Sequence, residues 1–473
     1  MELEEEIIDS EGNIHKIVEV LGKGGQGIVY RCLDKDVAIK VVLRDGDFIK
    51  DKESLKQYEK SVLNLSFKPI ERHFPMSIPL VTLRGKQGYV MKMTEGYEPL
   101  KTFLKKPSVL ENEEKDGIFR INNAIQELCK DNHHMALSLS YYSQTQGLRS
   151  RLKILTHLAK LLFRLQSKGL VYGDLNLNNV FYKDNSAFLI DADNVHYESE
   201  KALCVIFTPN YGALEISQTS KNSDTTNYNT MFSDTFSFAI IAYELLNMVH
   251  PFDGNSAGDA ENFIELPWIE DSEDDSNNSC GLLPFFLTRD LKNLLAQCFE
   301  EGKKDPLKRP TMPLFIESLE KASLQVLECE NCSMTYYDRD YDRDYDRDCD
   351  RDYDRDYDRD YDREWEICPY CDAKKPIRLV ATSYYQNSKV FYFASNFTDP
   401  IFLPTTLFKG IEVVKSEWEF AEIANNILIF HHDIQQEKIL INDKRLDHHR
   451  IEIDLEKELT ISYNGFLIKV QKC

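Results

Sequence analysis

The chain has 473 residues, too many for one ordinary core, so two or three domains are expected. Hydrophobic residues make up 42% and charged residues 29%, the profile of a soluble globular protein. The longest apolar stretch, around Phe236–Leu246, falls far short of the ~20 residues a membrane span needs. The acidic start, MELEEEIIDS, has neither the basic nor the apolar region of a secretory signal, so the protein reads as cytoplasmic where it is made. Export by a route without a signal stays open. With 57 Lys and Arg against 79 Asp and Glu, the net charge of −22 repels nucleic acid, and no nucleic-acid partner is expected. Four of the 11 cysteines form two C-x-x-C pairs, which suits a reducing compartment and a metal site better than a disulfide framework.

The first element with readable chemistry is VLGKGGQGIVYRC. Gly22, Gly24 and Gly27 form G-x-G-x-x-G, with Val29 two residues on. Glycines let a backbone close over phosphates where a Cβ would clash. The same spacing occurs in dinucleotide-binding turns, but those continue into a helix. Here IVYRCLDKDVAIKVV reads as strand, turn, strand. Lys40 lies on that last strand, where a buried ammonium needs a partner. It is the candidate ligand of nucleotide phosphates, paired to a carboxylate on a helix over residues 52–66. Glu59 is the first choice for that carboxylate and Glu53 the fallback.

Residues 105–147 read as an insertion, a loop followed by a short helix at INNAIQELCK. An amphipathic helix over about 150–168 then stops at Gly169. Asp174 and Asn179, five apart in YGDLNLNN, suit a loop that offers a carboxylate to a hydroxyl proton and an amide oxygen to Mg²⁺. The apolar strand FLI runs into Asp191 and Asp193, and Asp191 is a candidate metal ligand.

In this order the segments resemble a eukaryotic-type protein kinase over about residues 15–320. GKGGQGIV resembles the glycine-rich loop, VAIK the lysine strand, and YGDLNLNN the catalytic loop. DAD stands at the metal-binding motif, and TPNYGALE resembles the segment that positions a peptide. Asp234 resembles the aspartate that braces the catalytic loop, and Arg309 the late arginine paired with Glu215. YGD together with IDADN is similar to a bacterial-type group. The resemblance implies a bilobal α+β fold with ATP and Mg²⁺ (or Mn²⁺) as cofactors, Met91 at the gatekeeper position, and Met93 in the hinge. It implies transfer of the γ-phosphoryl group to Ser or Thr hydroxyls of a protein, itself included among the candidates.

This sequence also departs from the family. Gly173 replaces an arginine, so activity independent of activation-segment phosphorylation is implied. Asn176 replaces a lysine and removes a cation near the γ-phosphate, which favours the rival reading of a pseudokinase scaffold. Ala192 leaves a smaller packing plug. Asp193 is a candidate second metal carboxylate or a turn residue bonding the backbone, and both stay open.

Cys329, Cys332, Cys368 and Cys371 form C-x₂-C…C-x₂-C, a donor set suited to tetrahedral structural Zn²⁺. Between the pairs, Tyr337 to Glu364 holds seven units of Y-D-R-D, with Cys349 in place of one Tyr and Glu364 in place of one Asp, a composition that builds no core and reads as a disordered expansion of the ribbon tip. Residues 377–473 read as a small all-β sandwich. Its last strands resemble a forkhead-associated domain without the residues such domains use for phosphothreonine. The expected plan is N-lobe and hinge over 1–96, C-lobe over 97–325, zinc ribbon over 326–376 and β-sandwich over 377–473.

Overall fold

The computed structural model describes residues 6–473 apart from 25–26, 35, 45–46, 50, 94, 201–207, 220–227, 259–263, 272, 279–285, 339–366, 414–418, 432–438 and 447. The side chains of residues 24, 44, 218 and 219 are also left aside. The glycine-loop tip, the stretch before Thr208 and most of the Y-D-R-D repeat, with Cys349, therefore lie outside the described residues. The chain packs as two compact units, residues 1–102 with 164–241 and residues 103–163 with 242–473.

The first unit begins with a curled antiparallel sheet. Its strands are β1 (Glu6–Ile8), β2 (Ile14–Gly24), β3 (Gly27–Cys32), β4 (Val37–Arg44), β5 (Asp47–Phe48), β6 (Pro79–Thr82) and β7 (Gly88–Lys92). Their order is β1-β2-β3-β4-β7-β6, with β5 on the edge of β4. Along β3 every second residue is buried, the period of a sheet with one face in the core. Ile28, Tyr30, Ile39, Val41 and Val90 supply that core. Helix α1 (Lys52–Ser66) starts where the Asp51 side chain accepts from the Ser54 amide at 2.8 Å, an ordinary N-cap. It buries Val62 and Leu65.

The region around Asp174 in this unit is built from short strands: β8 (Glu98–Pro99), β9 (Leu170–Val171), β10 (Val180–Lys183), β11 (Ser186–Leu189) and β12 (His196–Tyr197). β10 pairs with both β8 and β11, and β9 with β12. The helix Met231–Asn247 is buried nearly all round, and its first turn carries Asp234.

In the second unit the stretch expected as a loop at residue 105 holds a helix, Pro107–Lys115. Proline at the first helical position is pre-set for a helix start, and that signal outweighs the charged composition. The short helix expected next runs over Asn123–Leu128. The long amphipathic helix spans Gly147–Gln166, and Gly169 beyond it is left-handed. β13 (Val326–Glu328) and β14 (Thr335–Tyr337) form a hairpin around the first cysteine pair.

The C-terminal strands are β15 (Arg378–Tyr385), β16 (Ser388–Asn396), β17 (Ile401–Pro404), β18 (Glu419–Ala424), β19 (Ile427–Phe430), β20 (Leu440–Ile441), β21 (Lys444–Arg445), β22 (Arg450–Glu452), β23 (Leu459–Tyr463) and β24 (Phe466–Lys472). They form two sheets, β16-β15-β24-β23-β20-β21 and β17-β18-β19-β22. Leu379, Leu403, Phe420, Leu428 and Ile468 meet in one core between them, as the β-sandwich expectation requires.

The first two positions of the repeat belong to the fold, against the expectation of disorder from Tyr337 onward. Tyr337 closes β14, and fully buried Asp338 pairs with Lys375 at 2.5 Å and Arg378 at 2.7 Å. A buried carboxylate needs such partners, and a reading by composition cannot see them. Among the described residues no helix is long and apolar enough to cross a membrane.

Candidate active site and metal centre

The sheet register gathers the expected nucleotide residues. Gly22 lies opposite Val29, Gly24 opposite Gly27, Val29 opposite Lys40, and Ala38 opposite Met91. The Met93 amide continues the edge by donating to the Asp36 carbonyl at 2.8 Å. Gly27 is required for packing, because a Cβ there would sit 2.5 Å from the Val41 carbonyl oxygen.

Lys40 is 5% exposed. Its Nζ donates to Asp191 Oδ1 at 2.8 Å and to Asp193 Oδ2 at 2.9 Å. Burial alone would lower the Lys40 pKa, but the charges of Asp193 and then Asp191 outweigh it and raise the value. Glu59, expected to hold Lys40, is half-buried on α1 and makes no ion pair among the described residues. The expected Lys40–Glu59 pair is thus corrected. Glu53, the fallback, is exposed in the first turn of α1.

Asp174 is brought together with Asn179, which donates Nδ2 to Asp174 Oδ2 at 3.0 Å and to its carbonyl at 2.9 Å. Sequence reasoning missed Thr208 as a partner. Its hydroxyl donates to Asp174 Oδ1 at 2.8 Å and accepts from Asn176 Nδ2 at 2.9 Å. Its place at the head of TPNYGALE was the available signal. Burial pushes the Asp174 carboxyl up, against the bonds from Thr208 and Asn179. A carboxylate with both oxygens bonded still has lone pairs for an incoming hydroxyl.

The loop is held from behind by Asp234, which accepts the Tyr172 amide at 2.6 Å and the Gly173 amide at 2.9 Å. Gly173 has φ of +90°, and a Cβ there would lie 3.2 Å from the Asn194 carbonyl. The arginine that the family pattern offers at this position would be strained. Tyr172 fills the space beside it, bonding through its hydroxyl to the Ile190 carbonyl.

Asp191, in the left-handed conformation, and Asn179 offer a carboxylate and an amide oxygen, the hard donors that Mg²⁺ takes. With its Nδ2 spent on Asp174, Asn179 has Oδ1 left for a cation. Asp193 is committed to Lys40.

In the second unit Cys329, Cys332, Cys368 and Cys371 place their sulfur atoms within 4.8 Å of one another. Cys329 lies 3.6 Å from Cys371, and Cys332 3.7 Å from Cys368. Sulfurs bound to one tetrahedral zinc at its usual bond length are about 3.8 Å apart. The two knuckles are built alike. The Cys329 amide donates to the Met334 carbonyl at 2.9 Å and the Cys368 amide to the Ala373 carbonyl at 2.7 Å. Ser333 and Asp372, each four residues after the first cysteine, are left-handed. Cys329 is drawn towards the thiolate by hydrogen bonds from Cys332 and Cys368, while Cys332 and Cys368 are pushed up by their bond with Cys329. The cluster is compatible with a structural zinc.

Comparison with known proteins gives one result for the first two thirds of the chain. Residues 15–319 match the family model described as protein tyrosine and serine/threonine kinase. No curated protein sequence matches the chain.

Proposed function

The chain belongs to the protein tyrosine and serine/threonine kinase family, and from that premise we propose that it is a working kinase that transfers the γ-phosphoryl group of ATP to Ser or Thr hydroxyls of a protein. The observation that carries this reading is Asp174. It is 8% exposed, held by Asn179 and Thr208, and braced through its loop by Asp234. A carboxylate fixed in this way can accept the proton of an incoming hydroxyl and align it for attack. The Thr208 hydroxyl already meets Asp174 as an aliphatic alcohol would, which supports Ser or Thr as the acceptor. Lys40 and the backbone of Gly22, Gly24 and Gly27 bind the phosphates, and Met91 and Met93 line the nucleotide's edge of the sheet. Mg²⁺ (or Mn²⁺) on Asn179 and Asp191 would neutralise charge on the phosphates.

Four cysteine ligands leave no open position, so the zinc proposed for Cys329, Cys332, Cys368 and Cys371 is structural. The C-terminal sandwich is kept as a degenerate forkhead-associated-like module with no phosphopeptide role assigned.

A second reading, a nucleotide-binding scaffold without transfer, is favoured by Asn176 in place of a cation and by the absent Lys40–Glu59 pair. Phosphoamino-acid analysis after incubation with labelled ATP and Mg²⁺ tests the proposal. Phosphoserine or phosphothreonine is expected. Phosphotyrosine would overturn the acceptor class. Nucleotide binding with no labelled residue would favour the scaffold.

A further inference from the structure

Lys40 poses a problem of charge that the proposed reaction does not resolve. The sheet puts Lys40 opposite Tyr89, its Nζ 5.9 Å from the Tyr89 ring centre and its side chain almost wholly out of water. An ammonium buried there and deprived of a carboxylate is strongly destabilising. Asp191 is one partner, but it is also the carboxylate assigned to the metal. When it turns to the metal, Lys40 needs another.

Helix α1 does not provide one. The α1 side chain whose polar end is buried is Tyr58, one position before Glu59: its hydroxyl is out of water. Burial, and then the Asp193 and Asp191 carboxylates, raises its phenol pKa well above the usual range. Neighbouring positions on a helix point about 100° apart, so Tyr58 and Glu59 do not share one direction, and Lys40 pairs with Asp191 and Asp193 rather than with Glu59. Asp193 has no such conflict. It sits in the short helical turn Ala192–Asn194, after left-handed Asp191, and reaches Lys40 at 2.9 Å.

We propose that Asp193 is the standing partner of Lys40 and takes over the task of a helix carboxylate, so that Asp191 can be released without leaving Lys40 unpaired. Asp193 is then a positioning residue acting through Lys40. Movement of α1 neither makes nor breaks the pair. The inference rests on the kinase reading for the role of Lys40, while the pair itself can be tested without nucleotide.

The experiment is a double-mutant cycle on the nucleotide-free full chain, read by hydrogen exchange of the β4 amides around Lys40. Asp193→Asn is expected to speed that exchange about tenfold beside Lys40, and to add little in a Lys40→Met background. Asp193→Glu is expected to restore part of the protection, which a purely structural turn residue would not do. Glu59→Gln is expected to couple to Lys40 less than Asp193→Asn does. Additive effects of Lys40→Met and Asp193→Asn, or coupling at Glu59 equal to or above that at Asp193, would overturn the proposal. Should Asp193→Asn not fold, Asp193→Ser and Asp193→Glu read the same cycle. Coupling at Asp193 in a chain that transfers no phosphate sinks the kinase reading alone. Transfer with coupling at Glu59 sinks this inference alone.

Discussion

The catalytic loop and the cysteine ribbon both bury reactive side chains, and they complete them in different ways. Around the loop, the protein supplies the partners. Asp174 is closed by Asn179 and Thr208, and Asp234 by two backbone amides. In the ribbon the sulfurs mainly face one another, at spacings that a cation would fill. The first region holds its geometry by its own hydrogen bonds, while the second offers a donor set compatible with a metal. Removing a partner should therefore be local at the loop and global at the ribbon.

The sharpest break of that contrast is metal removal. Structural zinc contributes on the order of 10 kcal/mol of binding energy to folding. A strong chelator or Cys332→Ser should lower the melting transition of the second unit by more than about 10 °C, with release of a single zinc per chain. Unchanged melting after the metal has gone would erase the contrast.

The second unit also contains a pair completed wholly by protein. Lys160 and Glu320, each under 5% exposed, meet at 2.6 Å, and Thr406 donates to Glu320 at 3.1 Å. Lys160→Met should cost about 3–5 kcal/mol in chemical unfolding, because it leaves Glu320 buried without a countercharge. Lys160→Met with Glu320→Leu should recover most of that loss. A double variant as unstable as the single would mean that packing, not charge, is at stake.

The loop's buried charge has a pH signature. Burial pushes the Asp234 carboxyl up to about 6, against the bonds from Gly173 and Tyr172, from 3.8 in the unfolded chain. Between those values the folded state holds a proton that the unfolded chain has released. The stabilisation this brings, about 3 kcal/mol at most, is fully present below 3.8 and is lost as pH rises through 6. The stability gap between wild type and Asp234→Asn should therefore shrink between about pH 4 and pH 7. A constant or widening gap would contradict the assignment.

The smallest effect sharpens the link between the ribbon and the helix that precedes the catalytic loop. The Thr335 hydroxyl accepts from the Leu148 amide at 2.8 Å, capping Gly147–Gln166 from outside its own sequence. Thr335→Val should cost about 1 kcal/mol and speed exchange of the Leu148 amide.

Much of this was legible in the sequence, and the failures share a cause. Asp174 and Asn179 were readable because a five-residue loop brings neighbours together, and the cysteine knuckles because each is closed within six residues. The sandwich followed from short strand-like runs broken by turns. The partners of Lys40 were not readable, since Asp193 is 153 residues away, and composition cannot tell that the Tyr58 hydroxyl is buried while Glu59 leaves Lys40 to other carboxylates. Thr208 lies 34 residues from Asp174 and Thr335 187 residues from Leu148. Asp338 reads as one more unit of the repeat until Lys375 and Arg378 are placed beside it. Local chemistry shows in spacing, whereas the satisfaction of buried charge is settled by tertiary contacts.

The most direct test of the central claim is transfer of labelled γ-phosphate from ATP and Mg²⁺ to the protein itself and to a generic basic protein, comparing wild type with Asp174→Ala. The account predicts incorporation by wild type and a loss of about 10²–10⁴-fold in the variant, with nucleotide binding retained. Equal incorporation by both proteins, or none by wild type despite bound nucleotide, would contradict it.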